Sequence, residues 1–376
     1  MLIKYIEKTI SFREVFLTAV IFIICMLFSN LYLIFFLVTL ILFSHLNIAR
    51  DKLYFNKNSY IKHGINKKNN SRIGGLLILL FIFLSGYFNW QEFISNFFLN
   101  EYIYFSLIVF FVTFLGFVDD IIGGLNHIIK LYFLLFAVIF SLLNQQDLLV
   151  NNSGNEVIDL LLSNQFLSYT VTILIILGFI NASNLADGAN GILSGIALAF
   201  FYLVYSETQI LIFEQIYLIM LIFFTYNILI SRIYLGDSGS YLFGFLISTI
   251  SLYYYNEGQI SAGMLASLLS YPCIEIVFTI LRRFNLKKNP MRPDNKHLHN
   301  ILFNDFKKSI FKGKIENFAN SFTGIFILSI FVLPALVYNY QIKSLISIDY
   351  WYIFILQIII YIYLYLFFSS KESNYE

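Results

Sequence analysis

Four aspartates stand at the edges of long apolar runs, where an ionised side chain is costly and usually functional. Two of them, Asp119 and Asp120, are adjacent in "GFVDDIIGG". Neighbouring carboxylates repel at a low-dielectric boundary, so one of them binds its proton more tightly unless a cation is near, and either state suits proton transfer or metal binding. The structural alternative is a solvated helix start, because acids favour the first turn of a helix. The pair alone leaves both interpretations open.

The other two aspartates lie among small and amide residues. In "YLGDSGS", glycines and serines beside Asp237 let a backbone approach a ligand closely. Magnesium keeps several waters and substrate phosphate oxygens, so one aspartate with an amide oxygen nearby suffices as its protein ligands. A turn with a helix N-cap is the structural alternative. Asp187 belongs to "NASNLADGANG", which sets this acid and three asparagines between two apolar runs.

His297 and His299 stand two residues apart in "RPDNKHLHN", within a segment rich in lysine and arginine. A histidine pair in a cationic segment favours contact with a phosphorylated ligand. The segment also fits a loop that orients the protein or touches anionic lipid. A zinc site is the weaker interpretation, because no cysteine or third histidine accompanies the pair.

The elements that must position these residues are membrane spans. Hydrophobic residues make up 59% of the 376 positions and charged residues only 12%, whereas soluble domains carry about a quarter charged. We therefore predict an all-α, polytopic integral membrane protein, folded as a single multi-span domain over residues 1–376. Twelve apolar runs are candidate spans, or eleven if the first lies on the surface: 12–28, 31–48, 73–88, 102–118, 129–143, 166–180, 192–205, 210–230, 240–255, 262–280, 322–340 and 350–368.

The distribution of basic residues predicts the orientation, since lysine and arginine concentrate on the cytoplasmic side. With the N-terminus inside, segments 49–72 and 281–321 face the cytoplasm and hold most of the 24 basic residues, while only Lys343 falls outside. All five polar stretches then share that face: the three motifs with aspartates, the histidine segment, and "NKKNNSRIGG". One shared site at the cytoplasmic side of the plasma membrane is the prediction.

These five stretches, in this order, resemble the polyprenyl-phosphate N-acetylhexosamine-1-phosphate transferases, over about residues 31–305. The spans at 12–28, 322–340 and 350–368 lie outside that core. The resemblance implies transfer of a sugar 1-phosphate from a UDP-N-acetylhexosamine to a polyprenyl phosphate such as undecaprenyl phosphate, with release of UMP. It implies Mg²⁺ as cofactor, with Mn²⁺ as a substitute, and a homodimer as in many relatives. No nucleic-acid partner is expected.

The resemblance also implies roles for individual residues. Asp119, Asp120 and Asp187 match the family's catalytic acids, and Asp237 with Asn184 matches the metal site. Asp119 would orient or deprotonate the lipid phosphate. The residues expected to contact substrates are Lys67, Lys130, Asn181, Asn184, Asn190, His297 and His299.

Some departures from the family pattern affect these assignments. Asn190 stands where most bacterial relatives have aspartate, and its amide predicts a contact with uracil. Asn300 stands where many relatives have a further histidine. The missing "PTMGG" and triple histidine favour the enzymes that start O-antigen, capsule or teichoic-acid assembly over the phospho-N-acetylmuramoyl-pentapeptide transferases, which stay an alternative. A transporter is a further alternative, as is a scaffold without activity, although a transporter predicts charged elements nearer the bilayer midplane.

Overall fold

The computed structural model describes residues 31–50, 71–88, 102–287, 294–312 and 316–373, which form an all-α protein. A single 3₁₀ turn, Gln146–Leu148, and a π-turn, Tyr338–Ile342, accompany the helices in these ranges. The α-helices are α1 Leu31–Arg50, α2 Gly74–Phe88, α3 Tyr102–Ile122, α4 His127–Asn144, α5 Glu156–Leu162, α6 Gln165–Ala186, α7 Ile192–Thr208, α8 Leu211–Ile230, α9 Gly236–Asn256, α10 Ala262–Leu268, α11 Ser270–Asn285, α12 Leu298–Ser309, α13 Glu316–Phe331, α14 Leu333–Val337 and α15 Tyr350–Ser373.

The apolar helices make this a polytopic membrane protein. Five of them, α3, α4, α6, α8 and α15, are long and apolar enough to cross a membrane. The number rises to seven if each of two bent pairs is one span: α10 with α11, bent by 75°, and α13 with the segment Leu333–Ile342, bent by 41°. Large apolar side chains such as Phe136 and Tyr363 are more than half exposed, as expected where lipid replaces water as the solvent.

The predicted spans from residue 31 onward each overlap a helix or one of the bent pairs. The predicted span 12–28 lies outside the described residues. Two of the aspartate motifs lie at helix ends: Asp119 and Asp120 occupy the last turn of α3, and Asp237 the first turn of α9. The suggestion that the aspartate pair begins a helix is therefore wrong, because the pair ends one.

Helix α9 is the centre of the bundle and is buried along nearly its whole length. Its neighbours approach it at glycines, where no side chain separates the backbones. A Cβ on Gly75 of α2 would lie 2.1 Å from the Gly239 nitrogen, and one on Gly116 of α3 would lie 2.4 Å from the Asp237 carbonyl oxygen. A Cβ on Gly244 would lie 2.7 Å from Cα of Ile180 in α6. These contacts fix the position of the first half of α9 relative to three other helices.

The segment before α2 pairs with the segment before α9. Ser71 and Ile233 form a parallel bridge, in which the Ser71 N–H donates to the Arg232 carbonyl at 3.1 Å and the Tyr234 N–H donates to the Ser71 carbonyl at 2.8 Å. The Gly75 N–H continues the pairing by donating to the Leu235 carbonyl at 2.9 Å. These bonds satisfy backbone groups at helix starts that would otherwise be buried without partners.

Several helix ends meet at one end of the bundle, which we call the polar end. The C-terminal ends of α3 and α6 contact the N-terminal end of α9 there, and the start of α12 contacts the end of α6. The opposite end is joined by other contacts, among them the Asn256 side-chain amide that donates to the Asp147 carbonyl at 2.6 Å. The polar end carries every described residue that the sequence assigns to a site.

Substitution of Gly75 with alanine tests the close packing of α2 on α9. The new Cβ would overlap backbone atoms of Gly239, which cannot move as a flexible side chain can, so we expect a loss of about 1–3 kcal/mol in the free energy of unfolding. Gly178→Ala is the matched control, because a Cβ there meets nothing within 4 Å. The measurement is denaturation by SDS in mixed micelles. Equal stability of the two variants would contradict the packing described here.

Candidate active site

A cavity of about 450 Å³ opens at the polar end, between α4, α6, α9 and α11 and the start of α12. Among its lining residues are seven that the sequence assigns to the site: Lys130, Asn181, Asn184, Asp187, Asp237, His297 and His299. Apolar side chains, including Leu131 and Ile280, complete one wall. Leu131 is 39% exposed and Ile280 46% exposed, so this wall continues onto the outer, lipid-facing surface.

Asp119 lies directly behind the cavity wall and holds Lys130. Its carboxylate is 1% exposed, forms an ion pair with the Lys130 ammonium, and accepts the Leu125 N–H. The C-terminal end of a helix carries partial negative charge, so an acid in the last turn of α3 needs a cation nearby. Lys130, one helical turn into α4, supplies it. The structure therefore brings Asp119 to the cavity through the lysine.

Asp120 faces the start of α9. It is 5% exposed, accepts the Ser238 N–H at 3.1 Å on Oδ2, and lies 3.8 Å from the Arg72 guanidinium. Its Oδ1 is buried and accepts no hydrogen bond from any residue that the structure describes. Gly236, at φ +73°, makes this approach feasible, since a Cβ there would lie 2.5 Å from Asp120 Oδ2.

Asp237 lies at the cavity and is positioned from α6. The Asn184 side-chain amide donates to Asp237 Oδ1 at 3.2 Å and to the Ser240 hydroxyl at 2.9 Å. Asp187 follows the end of α6 and lines the same cavity. Burial and the nearby carboxylates of Asp237 and Asp120 raise the pKa of Asp187 well above its usual value. Acidic side chains are thus concentrated around the first turn of α9.

Among the described residues near the first turn of α9, two cations lie close to a group of four acidic side chains. The cations are Lys130 and Arg72, and the acids are Asp119, Asp120, Asp187 and Asp237. Within the described parts of the chain, no three His, Cys, Asp or Glu side chains are arranged as a metal site. A magnesium ion needs fewer protein ligands, because waters and substrate oxygens fill most of its shell. The Asp237 carboxylate, the Asn184 amide oxygen and the buried Oδ1 of Asp120 are hard oxygen donors of the type that such an ion prefers.

The histidine pair forms the opposite wall. The rings of His297 and His299 stack with centroids 5.5 Å apart. His299 Nδ1 is 3.0 Å from the Tyr271 hydroxyl, and its ring lies against Gly188, where a Cβ would be 1.9 Å from Nε2. Gly188 therefore lets the end of α6 and the start of α12 meet. Asn300 is buried beside them with its amide oxygen not hydrogen-bonded to any residue in the described ranges.

The sequence-based interpretation missed Glu275, Tyr271 and the pairing of Asp294. Glu275 is fully buried in α11 and contacts His297, with Oε1 and Nδ1 3.0 Å apart. Asp294 lines the cavity and accepts from Arg282 at 3.0 Å and from Arg283 at 3.2 Å. Partial burial opposes the effect, but the hydrogen bonds from Arg282 and Arg283 hold the pKa of Asp294 well below its usual range. The signal for Glu275 was an acid inside the apolar run "CIEIVFTI", the kind of intramembrane charge that is seldom incidental.

Asn190 is held between helices. Its side chain is 3% exposed and is not among the residues that line the cavity. Its amide nitrogen donates to the Ser231 hydroxyl at 2.8 Å, and its oxygen accepts from the Asn320 amide at 3.1 Å. The amide thus joins α13 to the end of α8, and the contact with uracil stays a prediction.

Two further predicted contacts have different outcomes. Asn181 lines the cavity, while its amide nitrogen donates to the Leu177 carbonyl of its own helix at 2.8 Å. Lys67 lies outside the described residues. The functional roles assigned to Asn181 and Lys67 stay predictions.

The fold and site define a class: a polytopic helical membrane protein with a charged cavity at one end and an apolar wall continuous with its lipid-facing surface. Residues 102–255 match the model of "Glycosyl transferase family 4". This region contains the aspartates of the site, Lys130 and Asn184. The matched region is narrower than the core of residues 31–305 expected from the sequence.

Similar proteins include the undecaprenyl-phosphate alpha-N-acetylglucosaminyl 1-phosphate transferase of Thermotoga maritima, 36% identical over 150 residues, which covers 40% of this chain and 46% of that protein. A probable undecaprenyl-phosphate N-acetylglucosaminyl 1-phosphate transferase of Bacillus subtilis is 30% identical over 146 residues, 36% of this chain and 41% of that one. The phospho-N-acetylmuramoyl-pentapeptide-transferase of Staphylococcus aureus is 33% identical over 198 residues, 46% of this chain and 58% of that one. The chain thus spans about half the length of the curated relatives it matches.

The Lys130–Asp119 pair gives a test of the site's electrostatics. Lys130→Met leaves the Asp119 carboxylate buried without its cation, so we expect a loss of about 3–5 kcal/mol in the free energy of unfolding. Adding Asp119→Asn to that variant removes the uncompensated charge and should recover part of the loss. A double-mutant cycle measured by SDS denaturation separates these effects.

The half-exposed pair Lys307–Glu316 is the matched control, since Lys307→Met there should cost less than about 1 kcal/mol. A similar small loss at Lys130, or no recovery in the double variant, would show that Asp119 does not depend on Lys130.

Proposed function

We propose that this protein transfers an N-acetylhexosamine 1-phosphate from a UDP-sugar to a polyprenyl phosphate, with undecaprenyl phosphate as acceptor, and releases UMP. The observation that carries the proposal is a cavity at the polar end, formed by described residues, that combines a wall of basic and histidine side chains with an apolar wall. Lys130, Arg283 and the histidine pair line one part of it, and Leu131 and Ile280 line another. The names of the related transferases from Thermotoga and Bacillus support the same reaction.

The apolar wall suits an acceptor that is itself amphipathic. A polyprenyl phosphate keeps its tail in lipid, because withdrawing it into water costs about 0.8 kcal/mol per CH₂. Leu131 and Ile280 are partly exposed on the lipid-facing side while also lining the cavity. The tail would pass along this side and the phosphate would approach Lys130, which Asp119 holds in place.

In the proposed reaction, an oxygen of the lipid phosphate attacks the phosphorus that bears the sugar. A new phosphorus–oxygen bond forms, the bond to the UMP oxygen breaks, and UMP leaves with the electron pair. The lipid phosphate is ionised near neutral pH, so Asp119 acts through the position of Lys130 more than by removing a proton. No covalent intermediate on the protein is required, and we propose direct transfer between the two substrates.

Magnesium is the proposed cofactor, with Asp237 as its first protein ligand and Asn184 beside it. The excess of carboxylates over cations and the buried Oδ1 of Asp120 support this assignment. Asn184 donates its amide nitrogen to Asp237, so its amide oxygen is the atom for a cation. A bound magnesium ion would neutralise charge on the diphosphate and make UMP a better leaving group.

The proposed orientation places the polar end on the cytoplasmic side of the plasma membrane. Arg232, Arg282 and Arg283 lie at this end, and Asp147, Glu156 and Glu257 lie near the other. Arginine and lysine concentrate on the cytoplasmic side of membrane proteins, so the three arginines support this orientation. It also gives a water-soluble UDP-sugar direct access to the cavity.

The decisive experiment measures UMP release by purified protein in lipid nanodiscs with undecaprenyl phosphate and magnesium. The donors are UDP-N-acetylglucosamine, UDP-N-acetylgalactosamine and UDP-N-acetylmuramoyl-pentapeptide. UMP release with one of the first two is expected. Release only with the pentapeptide donor would favour the reaction named for the Staphylococcus relative, and no release with any donor would contradict the proposed function. A stable labelled adduct on the protein in the absence of lipid would contradict direct transfer.

Asp237→Asn tests the metal assignment. Loss of the carboxylate should lower kcat at least about a hundredfold and remove the response to magnesium concentration. Asp159→Asn is the matched control, since Asp159 bonds to Ser153 at the far end of the bundle, and this variant should retain activity. Near-normal turnover of Asp237→Asn at ordinary magnesium would rule out its assigned role.

A further inference from the structure

Glu275 is a carboxylate in the interior of α11 with a complete set of donors. It is 0% exposed. Its Oε1 is 3.3 Å from the Thr279 hydroxyl and 3.0 Å from His297 Nδ1. Its Oε2 accepts from the Leu298 N–H at 3.3 Å and from the Tyr361 hydroxyl at 2.9 Å. Four donors on two oxygens is the hydrogen bonding that an ionised carboxylate requires.

This arrangement determines which ring nitrogen of His297 carries a proton. An ionised carboxylate only accepts, so the nitrogen facing it, Nδ1, must donate. The backbone N–H of Leu298 can only donate, so it fixes the carboxylate from the other side. The second ring nitrogen, Nε2, is left on the side of Asp294, 3.7 Å from its Oδ1, in the wall of the cavity.

The charged groups around His297 leave Nε2 available to a ligand. Asp294 is the acid nearest to it, but its carboxylate is held by Arg282, Arg283 and the Lys296 N–H, the last at 3.2 Å. His299 stacks on the His297 ring. A phosphate oxygen entering the cavity could therefore approach Nε2, and Arg283 lines the same cavity.

We propose that Glu275 is a positioning residue, which keeps the proton of His297 on Nδ1 and turns Nε2 towards the phosphate groups of the sugar nucleotide. The inference rests on the proposed function for its ligand. A carboxylate in this position sets the tautomer and orientation of an imidazole, as acids behind metal-bound and catalytic histidines do. Nε2, with a second proton favoured by the charge of the phosphate, donates to a phosphate oxygen.

Tyr361 links Glu275 to helix α15. It is fully buried in α15, and its hydroxyl is the donor that holds Glu275 Oε2 from the side opposite the histidine. Tyr365, one turn further along α15, donates its hydroxyl to the Lys296 carbonyl at 3.3 Å. The two tyrosines therefore provide a matched pair of Tyr→Phe variants on one helix.

The first measurement is the tautomer of His297, read from ¹⁵N chemical shifts of protein labelled at its histidines and assigned with His297→Gln. It needs no substrate, so its outcome is independent of the proposed function. The proton is expected on Nδ1 in the wild type. In Glu275→Gln we expect a mixture with the Nε2–H tautomer, and in Glu275→Asp a return towards the wild-type spectrum. A wild-type histidine with its proton on Nε2 alone would overturn the proposal.

The second measurement is UMP release with UDP-N-acetylglucosamine and undecaprenyl phosphate. Glu275→Gln should lower kcat/KM about tenfold or more, the scale of loss when a histidine loses its orienting carboxylate, mainly through a higher KM for the nucleotide. Glu275→Asp should recover part of this loss. Tyr361→Phe should show a smaller loss of the same kind, while Tyr365→Phe should match the wild type.

A purely structural role for Glu275 gives a different pattern. Activity and thermal stability would then fall together in Glu275→Gln while the His297 tautomer stayed unchanged, and Tyr361→Phe would not differ from Tyr365→Phe. Either result would overturn the proposal. Absence of UMP release from the wild type would instead contradict the proposed function and leave the tautomer result to stand.

Discussion

The contact of three helices with the backbone of α9 is the constraint on which the rest of the structure depends. Gly75, Gly116 and Gly244 each remove a side chain where two helices would otherwise be separated by one. In a membrane, where apolar side chains gain nothing by leaving lipid for one another, close backbone packing is a main source of helix association. The same contacts hold the first turn of α9, and with it Asp237, beside the ends of α3 and α6.

The electrostatics of the site follow from that geometry. Asp119 and Asp120 lie at the C-terminal end of a helix, where the dipole opposes their charge, and Asp237 lies at an N-terminal end, where the dipole favours it. Lys130 and Arg72 compensate part of the negative charge on the first two. The acidic side chains that these cations do not compensate lie at a cavity whose other wall carries basic and aromatic side chains. An anionic substrate together with a divalent cation would complete the charge balance better than either alone.

The sequence was sufficient to predict the helical class, a helix at each apolar run from residue 31 onward and the grouping of polar motifs at one end, because each depends on local composition. It predicted eleven or twelve membrane spans, whereas five to seven of the described helices are long and apolar enough to cross a membrane. It could not give the position of Asp119 behind Lys130, since that depends on how α4 turns back on α3. It also could not give the hydrogen bonds of the Asn190 amide to Ser231 and Asn320, which lie far from it along the chain. Glu275 was missed because its partners His297 and Tyr361 lie 22 and 86 residues further along the chain. Only the folded protein brings these side chains together.

The contribution of α15 to the histidine wall bears on how such a protein is made. Tyr361 is more than a hundred residues beyond the family-matched region, yet it donates to the carboxylate that contacts His297. Because translation proceeds from the N-terminus, the four aspartates of the site are synthesised before α15. Glu275 therefore lacks the hydrogen bond from Tyr361 until α15 has packed into the bundle.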